Sequence, residues 1–275
     1  MEGHRDSRPL VMGVLNVTPD SFSDGGRFLD PEQAVAHGLA MIDEGADLVD
    51  VGGESSRPGA TPVAEDEELR RVLPVVEALA PKVRVSVDTV KPAVAVAAVT
   101  SGASLINDVS GALWPVAAEL SVGWVSMHMQ GTPRDMQRDP HYRDVVGEVH
   151  AEVLARARAA AGAGVAEVWV DPGIGFGKTA EHNLRLLAHL PELVVEARRW
   201  GFGVLVGVSR KSFLGRYGAT STDSDGGTVP VGDRLEASLA VETWAMARGA
   251  GMVRVHDVAP AVQAATLVGP GAVAA

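Results

Sequence analysis

Two aspartates close apolar runs in this sequence, Asp88 in VSVDT and Asp171 in VWVDPG, and Asn107 closes a third run in LIND. A carboxylate offers two acceptor oxygens side by side. That suits a flat heterocycle presenting an amino group next to a ring N–H, as pterins and guanines do. Asn107 can both donate and accept, and Lys211 in SRK can donate to a ring carbonyl and nitrogen. The same carboxylates also read as caps of the helices that follow, as metal ligands, or as an acid–base pair.

VRVHD at 253–257 puts Arg254 and His256 two residues apart, on one side of a strand. With Asn16 at the end of VMGVLN across the mouth, they can hold a pyrophosphate, with Mg²⁺ sharing its charge. Asn16 is a neutral ligand, which suits a metal held mostly by water and phosphate oxygens. An Arg254–Asp257 ion pair at the rim is the plainer alternative. ESSRPGAT at 54–61 adds two hydroxyls and Arg57 in a turn, and SRK at 209–211 adds two cations beside Ser209.

GIGFGKT at 173–179 imitates a phosphate-cradling loop, but Pro172 stands where the first glycine of that motif belongs. It reads instead as a flexible loop presenting Phe176 over the mouth. Beyond Asn16, TPDSFSDGG carries Phe22 on a Gly-rich tip with no neighbour to pack on, as a lid would. His37, His150, His182 and His189 fall in helical patterns, and His4 and His141 in polar segments; packing or surface roles are expected for all six. His128, ending WVSMH, is ambiguous.

The elements that must position these residues recur regularly. Apolar runs at 11–16, 47–52, 83–88, 104–108, 124–128, 167–171, 203–209 and 252–256 each end on or just before a polar residue. They are continuous rather than alternating, as in parallel strands covered on both faces. Helical patterns at 31–46, 65–80, 91–103, 145–164, 180–194 and 234–250 separate them, the first capped by Asp30 and the second carrying Pro74, where a kink is expected. Eight such units predict an α/β fold, a (β/α)₈ TIM barrel forming one domain over residues 1–275, with the strand ends ringing one mouth. A doubly wound open sheet is the runner-up, without a dinucleotide fingerprint to support it. The polar stretch TSTDSDGGTVPVG at 220–232 is expected to be a mobile insertion with no chemistry of its own.

Composition narrows the partners. A formal net charge of -11 argues against nucleic acid but allows an anionic small substrate, since a few focused cations suffice. The chain has no cysteine, which removes thiolate catalysis and disulfides. No apolar run approaches the ~20 residues of a membrane span, and the N-terminal MEGHRDSRP does not read as a signal peptide, so a cytoplasmic protein is expected. Twenty Arg stand against four Lys, at 82, 91, 178 and 211, a weak hint that lysine is kept where a compact ammonium is wanted.

In combination and order, GVLNVTPDSFSDGG (13–26), ESSRPGA (54–60), SVDT (86–89), INDVSG (106–111), MHMQGTP (127–133), DPGIGFGK (171–178), VGVSRKSF (206–213) and RVHDV (254–258) resemble the dihydropteroate synthases of folate biosynthesis, over nearly the whole chain. The resemblance implies a homodimeric transferase, inhibited by sulfonamides. It would condense 6-hydroxymethyl-7,8-dihydropterin pyrophosphate with 4-aminobenzoate, giving 7,8-dihydropteroate and pyrophosphate. It implies a pterin pocket of Asp88, Asn107, Met127, Asp171, Gly207 and Lys211, and a pyrophosphate and Mg²⁺ site at Asn16, Arg254 and His256. Of these, Asp88, Asp171, Lys211, Arg254 and His256 would carry catalysis. Asp20, Ser21, Phe22 and Ser23 would belong to one mobile loop, and Ser55, Ser56, Arg57 and Pro58 to a second at the aminobenzoate side, with Phe176 and Ser209 as neighbours. The family implies loss of pyrophosphate before arylamine attack, while the sequence alone also permits direct displacement. A methyltetrahydrofolate methyltransferase-type barrel would share the carboxylate clamp but would not need ESSRPG and RVHDV. A catalytically silent pterin-binding paralogue would be expected to have lost some of these residues.

Overall fold

The computed structural model describes residues 8–18, 31–57, 59–217 and 229–269. Asp20, Ser21, Phe22, Ser23, Asp30, Pro58 and residues 220–228 of the predicted insertion lie outside the described residues. Eight strands, β1 (Leu10–Asn16), β2 (Leu48–Gly52), β3 (Arg84–Asp88), β4 (Leu105–Asp108), β5 (Gly123–Met127), β6 (Glu167–Asp171), β7 (Gly203–Val206) and β8 (Met252–Val255), pair in parallel with their chain neighbours. β8 closes on β1, so the sheet is a barrel in sequence order. The expected (β/α)₈ architecture is the one observed.

The strands look continuously apolar because each of their two faces has its own apolar layer. Met12, Leu48, Leu105, Val125, Trp169, Leu205 and Met252 point inward and fill the barrel as one cluster. Residues of the other parity, such as Val11, Val49, Val85, Ile106 and Val170, pack outward on the helices. Carrying the inward parity to the strand ends brings Asn16, Gly52, Asp88, Asn107, Met127, Asp171 and Gly207 to one mouth. The register agrees: Asn16 lies opposite Gly52, Gly52 opposite Asp88, Asp88 opposite Asn107, and Met127 opposite Asp171. At the other end, Arg84 pairs with Glu167, which also accepts from Trp169 Nε1 at 2.6 Å. Gly203 admits that indole, since a Cβ there would stand 2.4 Å from its ring. The floor is therefore a packed plug, and only the mouth is open to chemistry.

The helices are α1 (Pro31–Asp43), α2 (Glu65–Leu79), α3 (Pro92–Thr100), α4 (Trp114–Glu119), α5 (Val145–Gly162), α6 (Ala180–Ala188), α7 (Leu190–Arg199), α8 (Ser212–Tyr217), α9 (Leu235–Ala247) and α10 (Val258–Leu267). One expectation changes. The single helix predicted over 180–194 is two, broken at His189, because Pro191 opens α7 and disfavours continuous helix through the residue before it. Pro74 sits inside α2 without ending it. The sequence reading missed α4 and α8, which are too short for a 3.6-residue period to show, and α10, whose Ala-rich composition lacks a polar face. Among the described residues no helix is long and apolar enough to cross a membrane.

Candidate active site

The deepest charges in the mouth form a triad that local sequence did not announce. Arg254 Nε donates to Asp50 Oδ2 at 2.6 Å, and its Nη2 to Asp88 Oδ2 at 2.8 Å. Asn107 Nδ2 donates to the same Asp50 oxygen at 2.9 Å. Asp50 is fully buried and its Oδ1 has no partner. Its inward parity with Gly52 was the available signal for a polar residue buried within a strand. Arg254 is therefore not paired with Asp257; that aspartate holds Arg210, at 2.6 Å. Burial pushes the Asp88 carboxyl up to about 7, with the Arg254 guanidinium pulling it down and Asp50 raising it further.

Across the mouth, Asp171 Oδ1 accepts the backbone N–H of Gly173 at 2.7 Å, which leaves Oδ2 for other partners. Burial raises the Asp171 pKa, and Lys211 opposes the rise. Lys211 donates to the Ile174 carbonyl, and its ammonium lies 4.4 Å from the Phe176 ring centroid. Burial brings Lys211 down to about 8 against the attraction of Asp171. Lys211 and Arg254 each lie within electrostatic reach of both Asp88 and Asp171, and of one another.

The loop after β6 is not the flexible one the glycines suggested. Its carbonyls at Gly175, Phe176 and Gly177 are taken by Gln137 Nε2 (2.6 Å), Lys178 Nζ (3.0 Å) and Tyr142 Oη (2.8 Å). Asn183 Oδ1 accepts the Gly175 N–H at 2.7 Å. The glycines serve close approach: at Gly173, with φ of 66°, a Cβ would fall 1.8 Å from the His128 carbonyl oxygen. His128 turns away from catalysis, with its Nδ1 2.9 Å from the buried Lys178 ammonium. Burial brings that lysine down to about 7 and holds His128 neutral, near 3. Of the other described histidines, His182 shares a capping box with Thr179, and His189 pairs with Glu192.

The third corner suits an anion. Burial, then Arg254, Arg210 and Arg57, lower His256 to about 3, so it is a neutral imidazole among three guanidinium groups. Its buried Nδ1 has no partner, and its backbone N–H donates to Ser209 Oγ at 3.1 Å. Arg57 is exposed, its N–H held by Ser55 Oγ at 3.3 Å. The base of that loop is tied by Glu54, which accepts from Val63 N–H at 2.7 Å and from Lys91 at 2.7 Å, while Lys91 also pairs with the buried Glu68. A cavity of about 280 Å³ opens beside Asp88, lined by Ser56, Thr89 and Val109 among others. Asn16, half-buried at the tip of β1, faces this mouth by parity. Among the described residues no three acidic or histidine side chains gather as a cation cage.

The family described as pterin binding enzymes matches residues 12–256, which takes in nearly all of the barrel's strand residues and every described mouth residue discussed above. The barrel and its carboxylate-lined mouth are thus those of a pterin-binding enzyme. The relatives narrow this further. The chain is 49% identical over 268 residues to the dihydropteroate synthase of Mycobacterium leprae, covering 94% of this chain and 92% of that protein. It superposes on Yersinia pestis dihydropteroate synthase in a sulfonamide drug complex with a TM-score of 0.84, at 43% identity and covering 95% and 93% of the two chains. On the Xanthomonas albilineans dihydropteroate synthase in complex with 7,8-dihydropteroate the TM-score is 0.80, at 44% identity and coverage of 94% and 92%. The chain belongs to the dihydropteroate synthase family, and it is a transferase that makes dihydropteroate.

Proposed function

We propose that the protein joins 6-hydroxymethyl-7,8-dihydropterin pyrophosphate to 4-aminobenzoate, with pyrophosphate leaving before the arylamine attacks. The observation that supports this most is the convergence of Asp88, Asn107, Asp171 and Lys211 on one mouth, next to a corner of three guanidinium groups. In this reading Asp171 and Asn107 take the pterin's N–H donors, Lys211 donates to its ring carbonyl, and Met127 and Gly207 form its walls. Arg254 and His256 receive the pyrophosphate. A Mg²⁺ ion fits as one held chiefly by water and pyrophosphate oxygens, with Asn16 as the protein ligand, because no ready cage of anionic side chains is present among the described residues. When bound it shares the charge of the leaving group.

The C–O bond to pyrophosphate breaks first, its electron pair leaving with the anion, and the resulting pterin methylene cation is stabilised by the carboxylates of Asp88 and Asp171. The neutral arylamine then attacks through its lone pair and loses one proton. Water must be kept from the cation; the reading gives that task to residues 20–23 and 55–58, with Phe176 and Ser209 beside the arylamine. The protein acts in the cytoplasm as a homodimer, for which Val195 and Trp200, 52% and 55% exposed at and just beyond α7, supply apolar surface.

The assay supplies the pterin pyrophosphate, 4-aminobenzoate and Mg²⁺ and follows pyrophosphate. Stoichiometric release with 7,8-dihydropteroate is expected, and competition by a sulfonamide for the 4-aminobenzoate site. Pterin binding without release would indicate a silent paralogue or a methyltransferase-type barrel. Omitting the arylamine should still give slow pyrophosphate release, with water trapping the cation as the alcohol; strict dependence on arylamine would favour direct displacement.

The pH profile has a defined shape. The carboxyl of Asp88 must be ionised to serve the pterin and does so above about 7, whereas Lys211 must stay protonated and does so below about 8. The value of kcat/KM for the pterin substrate should therefore form a narrow bell between these limits. A flat profile from pH 6 to 9 would contradict the pairing of roles.

Gly207 gives a separable test. A Cβ there meets only Arg254 Cβ, at an ordinary 3.6 Å, so Gly207→Ala should leave the melting temperature unchanged. The added methyl enters the space assigned to the pterin ring, so its Kd should rise by about tenfold or more. Unchanged affinity would remove Gly207 from the pocket wall.

A further inference from the structure

Lys211 is delivered to the mouth by the turn Ser209-Arg210-Lys211, and Arg210 in that turn has φ of 59°. A left-handed conformation is strained for a residue with a Cβ and persists only where its surroundings impose it. Here the surroundings are one face of α9 and the residue just before it. Ser238 Oγ accepts the Arg210 N–H at 2.9 Å, and Arg234 Nη1 donates to the Arg210 carbonyl at 3.0 Å. Ser209 Oγ accepts from His256 N–H, so its own proton is free to donate, and its partner is Glu242.

Residues 234, 238 and 242 are four apart, so they stack along one helix face. All three are buried, at 7%, 1% and 3% exposure. Buried polar side chains are retained where each has a partner, and apart from one Glu242 oxygen these spend their bonds on the turn, on Val229 and on one another. Glu242 faces Ser209 and Asp257; burial raises its pKa to about 7, the Ser209 hydrogen bond opposes this, and Asp257 adds to it.

We infer that the Arg234–Ser238–Glu242 face is a positioning device for the reaction: it holds Arg210 left-handed so that Lys211 reaches Asp171, and through Ser209 it fixes the backbone of His256. One helix face then sets both the pterin lysine and the anion corner. None of the three residues needs to touch substrate. The inference rests on the proposed function only in taking Lys211 and His256 as substrate-contacting.

The test combines amide exchange with kinetics. In Ser238→Ala the Arg210 amide loses its acceptor and should exchange faster. The kcat/KM for the pterin substrate should fall about tenfold, as for one buried donor left unsatisfied. Ser238→Thr, which keeps the hydroxyl, should recover it. In an Arg210→Gly background φ > 0 carries no penalty, so the further loss from Ser238→Ala should shrink to about twofold or less. Glu242→Gln keeps an acceptor for Ser209 and should stay near the parent activity at pH 7, whereas Glu242→Met should lose about tenfold.

Undiminished protection of the Arg210 amide in Ser238→Ala, an equal kinetic loss in both backgrounds, or equal behaviour of the two Glu242 variants would each overturn the inference. Absence of pyrophosphate release by the unsubstituted enzyme would instead sink the synthase reading, and amide exchange would still decide what holds the turn.

Discussion

Asp171→Asn is expected to lose pterin binding by about a hundredfold or more, with no loss of stability. The structure makes the direction of the effect specific. The Gly173 N–H lies 2.7 Å from Oδ1, so an asparagine would turn its carbonyl oxygen to that position. Its NH₂ group would then occupy the place of Oδ2 and confront a ring N–H donor with another donor. One charge-assisted hydrogen bond is lost and one repulsive contact is created. Folding should not suffer, because burial already disfavours the ionised form of Asp171 and the amide removes that penalty. Lys211 would also lose the counter-charge that attracts it most, and its pKa should fall further. Titration calorimetry with the pterin, beside thermal denaturation, checks both halves. Unchanged affinity would place the clamp elsewhere.

Arg254→Ala should have the larger effect on folding. The guanidinium is the partner of Asp50, fully buried, and of Asp88, nearly so. Removing it leaves two carboxylates facing each other without a cation, and breaking a buried pair in this way costs about 3–5 kcal/mol. The pH dependence has a definite sign. Asp88 is an acid whose folded pKa, about 7, lies above its usual 3.8, so the native state holds a proton that the unfolded chain gives up. Its penalty is absent below about 4 and grows as pH rises through that window. Without Arg254 the folded value moves higher still. The deficit of the variant should therefore be greatest near pH 8 and be relieved near pH 5, and denaturant unfolding at the two pH values reads it directly.

In binding, the pyrophosphate ester should lose about a hundredfold more than a pterin lacking it, since Arg254 contacts the anion only in the ester. Some loss for the bare pterin is expected too, because Asp88 and Asn107 are both tied into the Asp50–Arg254 network. Equal losses for the two ligands would contradict the anion assignment.

Much of this was legible before folding. A continuous apolar run ending abruptly in Asp88, Asn107 or Asp171 is readable because a parallel strand buried on both faces tolerates polarity chiefly at its end. Eight repeats of that pattern specify a closed sheet, and the closed sheet brings the ends together. Lysine usage pointed the right way as well: Lys91, Lys178 and Lys211 cluster around the mouth in buried or paired settings, while Lys82 is exposed.

The tertiary structure decided the pairings. Arg254 and Asp50 are 204 positions apart, and they meet only because β8 closes on β1 with one particular register. Asp50 went unnoticed because a single polar residue inside DLVDVG resembles an interruption until the inward parity gives it a place. The loop over 173–178 looked flexible because glycine count reports what a backbone is able to do, whereas side chains from Gln137 to Asn183 determine what it does. By itself the sequence determined which residues reach the mouth, since strand period and run length are local properties. Which of those residues neutralise one another was decided by barrel closure, since an ion pair depends on ångström-scale distances between segments far apart in the chain.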